Sequence, residues 1–319
     1  MQVPDCRARS LLERWSDRLL VHTTMGLAGL TGLLLVWMVL VIAWQALPAM
    51  QQFGWRFLTS GGWQPVPGRE HFGILPMLYG TLVSSLLALL VALPLGLGTA
   101  IFLSEDFLPL PLRTVMAFLV EVLAAIPSVV YGLWGMWVLI PLLQPLLGWL
   151  HRHWGWMPLF GTEPVGPGIL PAALVLAVMI LPILTLMAKD ALAALPPELR
   201  QASLALGATR WWTVMRVLIP AAQSGIVGGV LLALGRALGE TMAVTMLIGN
   251  ANQFHWSLLA PANTIASLLA NQFPEARGMQ LSALMYAALV LLLLTLVVNL
   301  LAEVIINQLQ ATYQAGGKP

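Results

Sequence analysis

The chain has 319 residues, of which 59% are hydrophobic and only 9% charged, with a formal net charge of +2 and a mean hydropathy of +0.86. That balance excludes a soluble globular domain, and a net charge this small with no clustered basic face excludes a nucleic-acid binder. The single cysteine, Cys6, excludes an internal disulfide.

The lipid bilayer is therefore the main solvent, and a span needs about 20 mostly apolar residues to cross roughly 30 Å of hydrocarbon. Six segments qualify: 24–47, 74–103, 114–143, 168–187, 221–249 and 281–306. The expected fold class is all-α, a polytopic membrane protein with six transmembrane helices. The first segment is longer than a signal-peptide core and lacks a small-residue cleavage site, so it reads as a retained span behind a tail at 1–23.

The connection 48–73 carries Gly54, Gly61, Gly62, Pro65, Pro67 and Gly68, which argue for turns, with Trp55 and Trp63 fitting a membrane–water interface. Pro94, Pro127 and Pro182 fall inside spans two, three and four, where each removes a backbone donor and bends its helix. The connection after span three holds Trp149, His151, His153, Trp154 and Trp156; it reads as an interfacial loop, since no further metal-ligating group accompanies the two histidines. Lys and Arg set the orientation. Arg7, Arg9, Arg14, Arg18, Arg113, Lys189, Arg200, Arg210, Arg216 and Lys318 fall on one side, against Arg56, Arg69, Arg152 and Arg277 on the other. The richer side is cytoplasmic by the positive-inside rule, so both termini, including the tail 307–319, are expected there.

The segment 189–220 is not a simple turn. Pro196 and Pro197 mark a helix start, Glu198 suits its first turn, and Gly207 marks its end. The helix between, of about ten residues, is roughly 14 Å long and too short to span. It presents Leu199, Ala202, Ser203 and Leu206, a small-residue face suited to a groove on another protein. Trp211, Trp212 and Met215 then return the chain to the interface and to span five.

Span five carries Arg236 and Glu240. An arginine at the centre of a membrane helix costs roughly 2.5–3.5 kcal/mol on insertion scales, and such residues face a protein interior or a watery path. On a continuous helix the two lie on one face within reach of each other. Gly225 with Gly229, and Gly235 with Gly239, give small-xxx-small spacings for close helix packing. Glu121 is an intramembrane carboxylate in span three, read either as a site residue or as one that reaches water; Glu303 lies close enough to the end of span six to be solvated. The chain has no nucleotide-binding loop, because its only lysines are Lys189 and Lys318, and Lys318 precedes Pro319 rather than Ser or Thr. It also lacks the Gly-x-Ser-x-Gly and His-Glu-x-x-His strings of hydrolases.

The loop string Gln201-Ala202-Ser203, Gly207, Val217, Ile219, Pro220 resembles the EAA loop of type I ABC importer permeases, with matching spacing and with Gln, Ser, Val and Ile as departures. The resemblance implies that Gln201, Ala202, Ser203 and Gly207 couple the chain to an ATPase subunit, and that 74–306 is the permease core. FGILPMLYGTLVSS from Phe72, EVLAAIPSVVYGLWG from Glu121, LGRALGETMAVTMLIGN from Leu234 and ANTIASLLANQF from Ala262 are similar to the phosphate-importing members of that family. The implied partners are a homologous permease, two ATPase subunits and an external phosphate-binding protein; the implied cargo is inorganic phosphate, with no cofactor, and the implied location is the bacterial inner membrane. A permease for sulfate or molybdate and an ion-coupled secondary transporter are the competing readings. The EAA spacing argues against the second.

Within that resemblance Arg236 and Glu240 belong to the substrate path, and Glu121 is a candidate for it. Arg236 offers forked donors to an oxyanion. Glu240 has two readings: acceptor for the proton that phosphate carries and sulfate lacks, or counter-ion of Arg236. The pair cancels in formal charge, and no other Lys or Arg lies deep in a span, so a second cation is expected from the partner permease.

Overall fold

The computed structural model describes residues 11–66, 70–105, 107 and 109–316. Cys6, Arg7, Arg9, Pro67, Gly68, Arg69 and Lys318 lie outside the described residues. Helix α1 (Leu11–Phe53) is far longer than a span requires and contains Pro48. Next to that proline the hydroxyl of Ser282 accepts from Ala49 N at 3.0 Å and donates to Gln45 O at 2.7 Å, so a side chain of the last helix is inserted into the α1 ladder. Ala46 and Ala49 are buried there, whereas the large side chains from Leu19 to Met38 are exposed.

A short helix α2 (Arg56–Thr59) leads into an antiparallel hairpin, β1 (Gly61–Gln64) with β2 (His71–Ile74), in which Trp63 faces Phe72. The expectation for Trp63 is corrected here. It is 7% exposed, packs on Phe57 and Phe72, and donates from Nε1 to Gln272 Oε1 at 2.5 Å, so it is core rather than interfacial. Trp55, 83% exposed, keeps the outward position.

Helices α3 (Leu75–Ser104) and α7 (Ile169–Ala193) form the most extensive helix pair and the centre of the bundle. Thr185 donates to Gly96 O at 3.4 Å across that contact. Between them, span three is not one helix. Helix α4 (Leu110–Ala125) stops, Ile126 and Pro127 are extended, and the chain resumes as α5 (Ser128–Trp134), a π-helical turn (Gly135–Leu139) and α6 (Ile140–Trp154). Pro127 causes the break by pushing Ile126 out of the helical region, to φ −67°, ψ 128°. His151 and His153 therefore sit on a helix, and their Nδ1 atoms lie 2.9 Å from Phe160 O and 3.0 Å from Trp149 O.

After α7 come α8 (Pro197–Ala205), α9 (Arg210–Thr213), a second π-helical turn (Val214–Leu218) and α10 (Ile219–Ala221). The path bends by 71° into α11 (Gln223–Gly239). Span five is also interrupted: α11 ends at Gly239, Glu240 is extended at φ −67°, ψ 125°, and α12 (Met242–Leu247) follows. A loop leads to α13 (Ile265–Gln272) and to α14 (Met279–Gly316). Among the described residues five helices are long and apolar enough to cross a membrane, and the bent α9–α11 piece makes a sixth, matching the expected number; the third, Ser128–Trp154, is displaced from the expected 114–143 because the break at Pro127 leaves α4 outside it.

Two glycines fix how closely these pieces approach. A Cβ on Gly80 would run into the carbonyl oxygen of Asn263, where the loop before α13 lies on α3; next to it Thr81 Oγ1 accepts from Ile265 N at 3.0 Å. Gly80→Ala is expected to lower the midpoint of thermal unfolding in detergent by several degrees, through roughly 1–3 kcal/mol of overpacking against backbone. Gly98→Ala, on the same helix with nothing within 4 Å, serves as the control and leaves that midpoint unchanged or slightly raised. Equal behaviour of the two variants removes the close-approach argument.

Candidate translocation site and coupling helix

The two interrupted spans meet. After the breaks α5 packs on α12, and Gly132 makes this possible: a Cβ there would lie 2.7 Å from Met246 Sδ and 3.2 Å from Ala243 Cα. Tyr131, one residue earlier, donates its hydroxyl to Leu123 O at 2.8 Å, tying α5 back to the last turn of α4. Backbone freed at such breaks is tolerated in a membrane where protein or a hydrated cavity can satisfy it.

Arg236 is exposed in the last turn of α11. The geometry expected for Arg236 and Glu240 does not hold, because the helix ends between them. Among the described residues they form no ion pair. Glu240 Oε1 instead accepts from Ala243 N at 3.4 Å, a carboxylate at the N-terminal end of α12 where the helix dipole favours negative charge. Arg236 shares an open groove of about 790 Å³ with Gly235 and Gly228 of α11 and with Asn299 and Glu303 of α14. Asn299 Oδ1 is buried without a hydrogen-bond partner. Glu303 is exposed as expected but faces this groove, and α14 continues past it to Gly316.

Glu121 is exposed in the last turns of α4, eleven residues beyond Leu110 and thus about 16 Å along that helix, close to the break. Glu121 thus stands five residues before the break in span three, and Arg236 and Glu240 stand at the break in span five. Tyr131 was not singled out from the sequence; the signal available was an aromatic hydroxyl one turn after Pro127. The glycine pairs divide. Gly225 and Gly229 pack α11 onto Ala191 and Met187 of α7, while Gly239 has open space around it.

At the other end of the bundle, α8 has nine residues, begins after Pro196 and stops before Gly207, as the sequence implies. Gly207 takes φ +84°, the left-handed conformation that terminates helices, with Ala208 N bonding Ser203 O at 3.2 Å. Gln201 and Ala202 are exposed and Leu206 is 90% exposed. Ser203 departs from the expected outward face. It is buried at 7% exposure with its hydroxyl 2.9 Å from Thr213 Oγ1, so it holds α8 to α9.

The profile of the family described as binding-protein-dependent transport system inner membrane component matches residues 92–312. The chain belongs to this family. It is 45% identical over 275 residues to the phosphate transport system permease protein PstC of Mesorhizobium japonicum, covering 84% of this chain and 82% of that protein. It is 39% identical over 305 residues to PstC of Haemophilus influenzae, covering 94% and 96%. Among solved structures, a bacterial ABC transporter involved in the import of the acidic polysaccharide alginate aligns with a TM-score of 0.61 at 16% identity, over 94% of this chain and 99% of that one. The MetNI methionine ABC transporter, in inward-facing conformations, aligns at 0.52 and 20% identity over 74% of this chain and 94% of that one. These structural likenesses establish the fold, and the family membership makes the chain a multi-pass membrane component of a transport system.

Proposed function

We propose that the chain is a permease subunit of an ATP-driven importer of inorganic phosphate, contributing half of the translocation path beside a homologous permease. Two separate ATPase subunits dock at α8, and an external binding protein delivers phosphate. The observation that carries this reading is Arg236, exposed beside paired helix breaks in a relative of phosphate permeases. An exposed guanidinium at this depth calls for protein or water against it, which supports a second permease covering this face. Glu121, exposed before the break in span three, is read as part of the same path, and Glu240, unpaired with Arg236, remains available to accept the proton of a phosphate oxygen that sulfate lacks. In this reading both termini and α8 are cytoplasmic, the β1–β2 hairpin is external, and the membrane is the bacterial inner membrane.

The test is to purify the chain with whatever assembles on it and identify the subunits by mass spectrometry. ATP hydrolysis is then measured with the external binding protein and either phosphate or sulfate. Phosphate is expected to stimulate hydrolysis and sulfate to leave it at the basal rate. A complex without an ATPase overturns the proposal, and equal stimulation by sulfate overturns the cargo.

A further inference from the structure

A densely bonded charged side chain lies in the first turn of α8, away from the helix breaks. Arg200 of α8 donates from Nε to both carboxylate oxygens of Glu105, at 3.1 and 3.3 Å, and from Nη2 to Glu105 Oε1 at 2.9 Å. It also donates from Nη2 to Leu192 O at 2.9 Å and from Nη1 to Leu195 O at 3.4 Å. The two side chains are 23% and 15% exposed, so solvent screens the pair only in part.

The placement is unusual for Glu105. It caps the C-terminal end of α3, where the helix dipole disfavours a carboxylate, and Arg200 offsets both that charge and the carbonyl end of α7. One planar side chain thus binds the tip of α8 to the ends of the two central helices. A lysine has three donors but on one nitrogen, and cannot span these separated acceptors as the planar fork does. From there the structure is continuous: α7 packs closely on α11 at Ala191–Gly225 and Met187–Gly229, and α11 carries Arg236.

Resting on the proposed function, we infer that the Glu105–Arg200 pair is the mechanical link that delivers displacement of α8 to α3 and α7, and through α7 to α11. Both are positioning residues: they act through the helices and touch no cargo. The link is a rigid strut that stays closed through the ATPase cycle.

The test uses the assembled complex in proteoliposomes with the external binding protein, carrying Glu105→Cys and Arg200→Cys in a Cys6→Ser background. The unbridged double variant is expected to assemble and to hydrolyse ATP near the wild-type rate, while phosphate moved per ATP falls about tenfold, within the usual range of coupling effects. Bridging the two thiols with a bismaleimide of side-chain length should restore most of the lost ratio, a rescue that charge or packing alone does not predict. An unchanged ratio in the unbridged variant overturns the link. So does a parallel loss of hydrolysis and uptake that bridging fails to recover, and so does a bridge that abolishes transport in a complex still hydrolysing ATP. If the wild-type complex hydrolyses ATP but takes up no phosphate, it is the cargo reading that falls. The link is then judged by whether bridging restores stimulation of ATP hydrolysis by the binding protein, and failure to restore it overturns the link too.

Discussion

Arg236→Ala is expected to abolish phosphate uptake in reconstituted vesicles while leaving the amount of assembled complex close to wild type. The guanidinium is exposed and, among the described residues, makes no hydrogen bond or ion pair that the fold would lose. Removing it therefore spares the subunit and takes away a forked donor from an anion crossing a low-dielectric region. Charge-assisted hydrogen bonds are worth about 1.5–3 kcal/mol, so the loss of the fork corresponds to a decrease in uptake of up to about 100-fold. Arg236→Lys should recover little of it, because an ammonium keeps the charge without the planar pair of donors. Uptake near the wild-type rate in the alanine variant would show that Arg236 is not part of the path. The structure sharpens this experiment: with α11 ending at Gly239, the variant does not leave Glu240 as the abandoned half of a helical ion pair.

Gly207→Leu should leave membrane insertion and abundance intact and still remove most transport. The backbone at Gly207 has φ +84° and nothing stands within 4 Å of where a Cβ would be, so the penalty comes from conformation alone, about 1–2 kcal/mol for an L-residue held in that region. The chain can relieve this strain only by changing the turn, which re-aims α8 relative to α9. Gly207→Asn supplies the control, since asparagine enters the left-handed region more readily and should keep most of the uptake. If Gly207→Leu transports normally at wild-type abundance, the turn has no part in coupling.

Much of the fold could be read from the amino acids because membrane physics leaves few options. Long apolar runs marked the spans, and Pro196, Pro197 and Gly207 bounded α8 at nearly the observed residues. The positions where helices are interrupted within apolar runs could not be read. Hydropathy does not distinguish one long helix from two shorter ones, so the break at Ile126–Pro127 appeared only as a bend, and the break at Glu240 left no proline or glycine at the residue that leaves the helix. The error over Arg236 and Glu240 has the same origin: i, i+4 geometry applies only where the helix continues. Two π-helical turns, at Gly135–Leu139 and Val214–Leu218, add a further slip, since each accommodates an extra residue and rotates the succeeding helix relative to a 3.6-residue reading. Ser203 and Trp63 were misplaced for a different reason. A small polar residue on a short helix, and a tryptophan in a Gly/Pro-rich loop, are each compatible with either orientation until the rest of the chain is folded around them.

The way α1 is attached bears on the life of the protein before it reaches its complex. Among the described side chains, burial in α1 is confined to its last third, at Ala46, Ala49 and the inserted Ser282 hydroxyl, and those from Arg18 to Met38 are exposed. A newly made subunit would thus enter the bilayer with a loose greasy arm and an uncovered Arg236 side chain in the open groove between α11 and α14, a burden of roughly 2.5–3.5 kcal/mol for the arginine on insertion scales. Such an orphan is a ready substrate for membrane quality-control proteases, which act on the open population. Biogenesis therefore favours synthesis in step with whatever covers that face, and steady-state abundance is set by stoichiometry as much as by the chain's own expression.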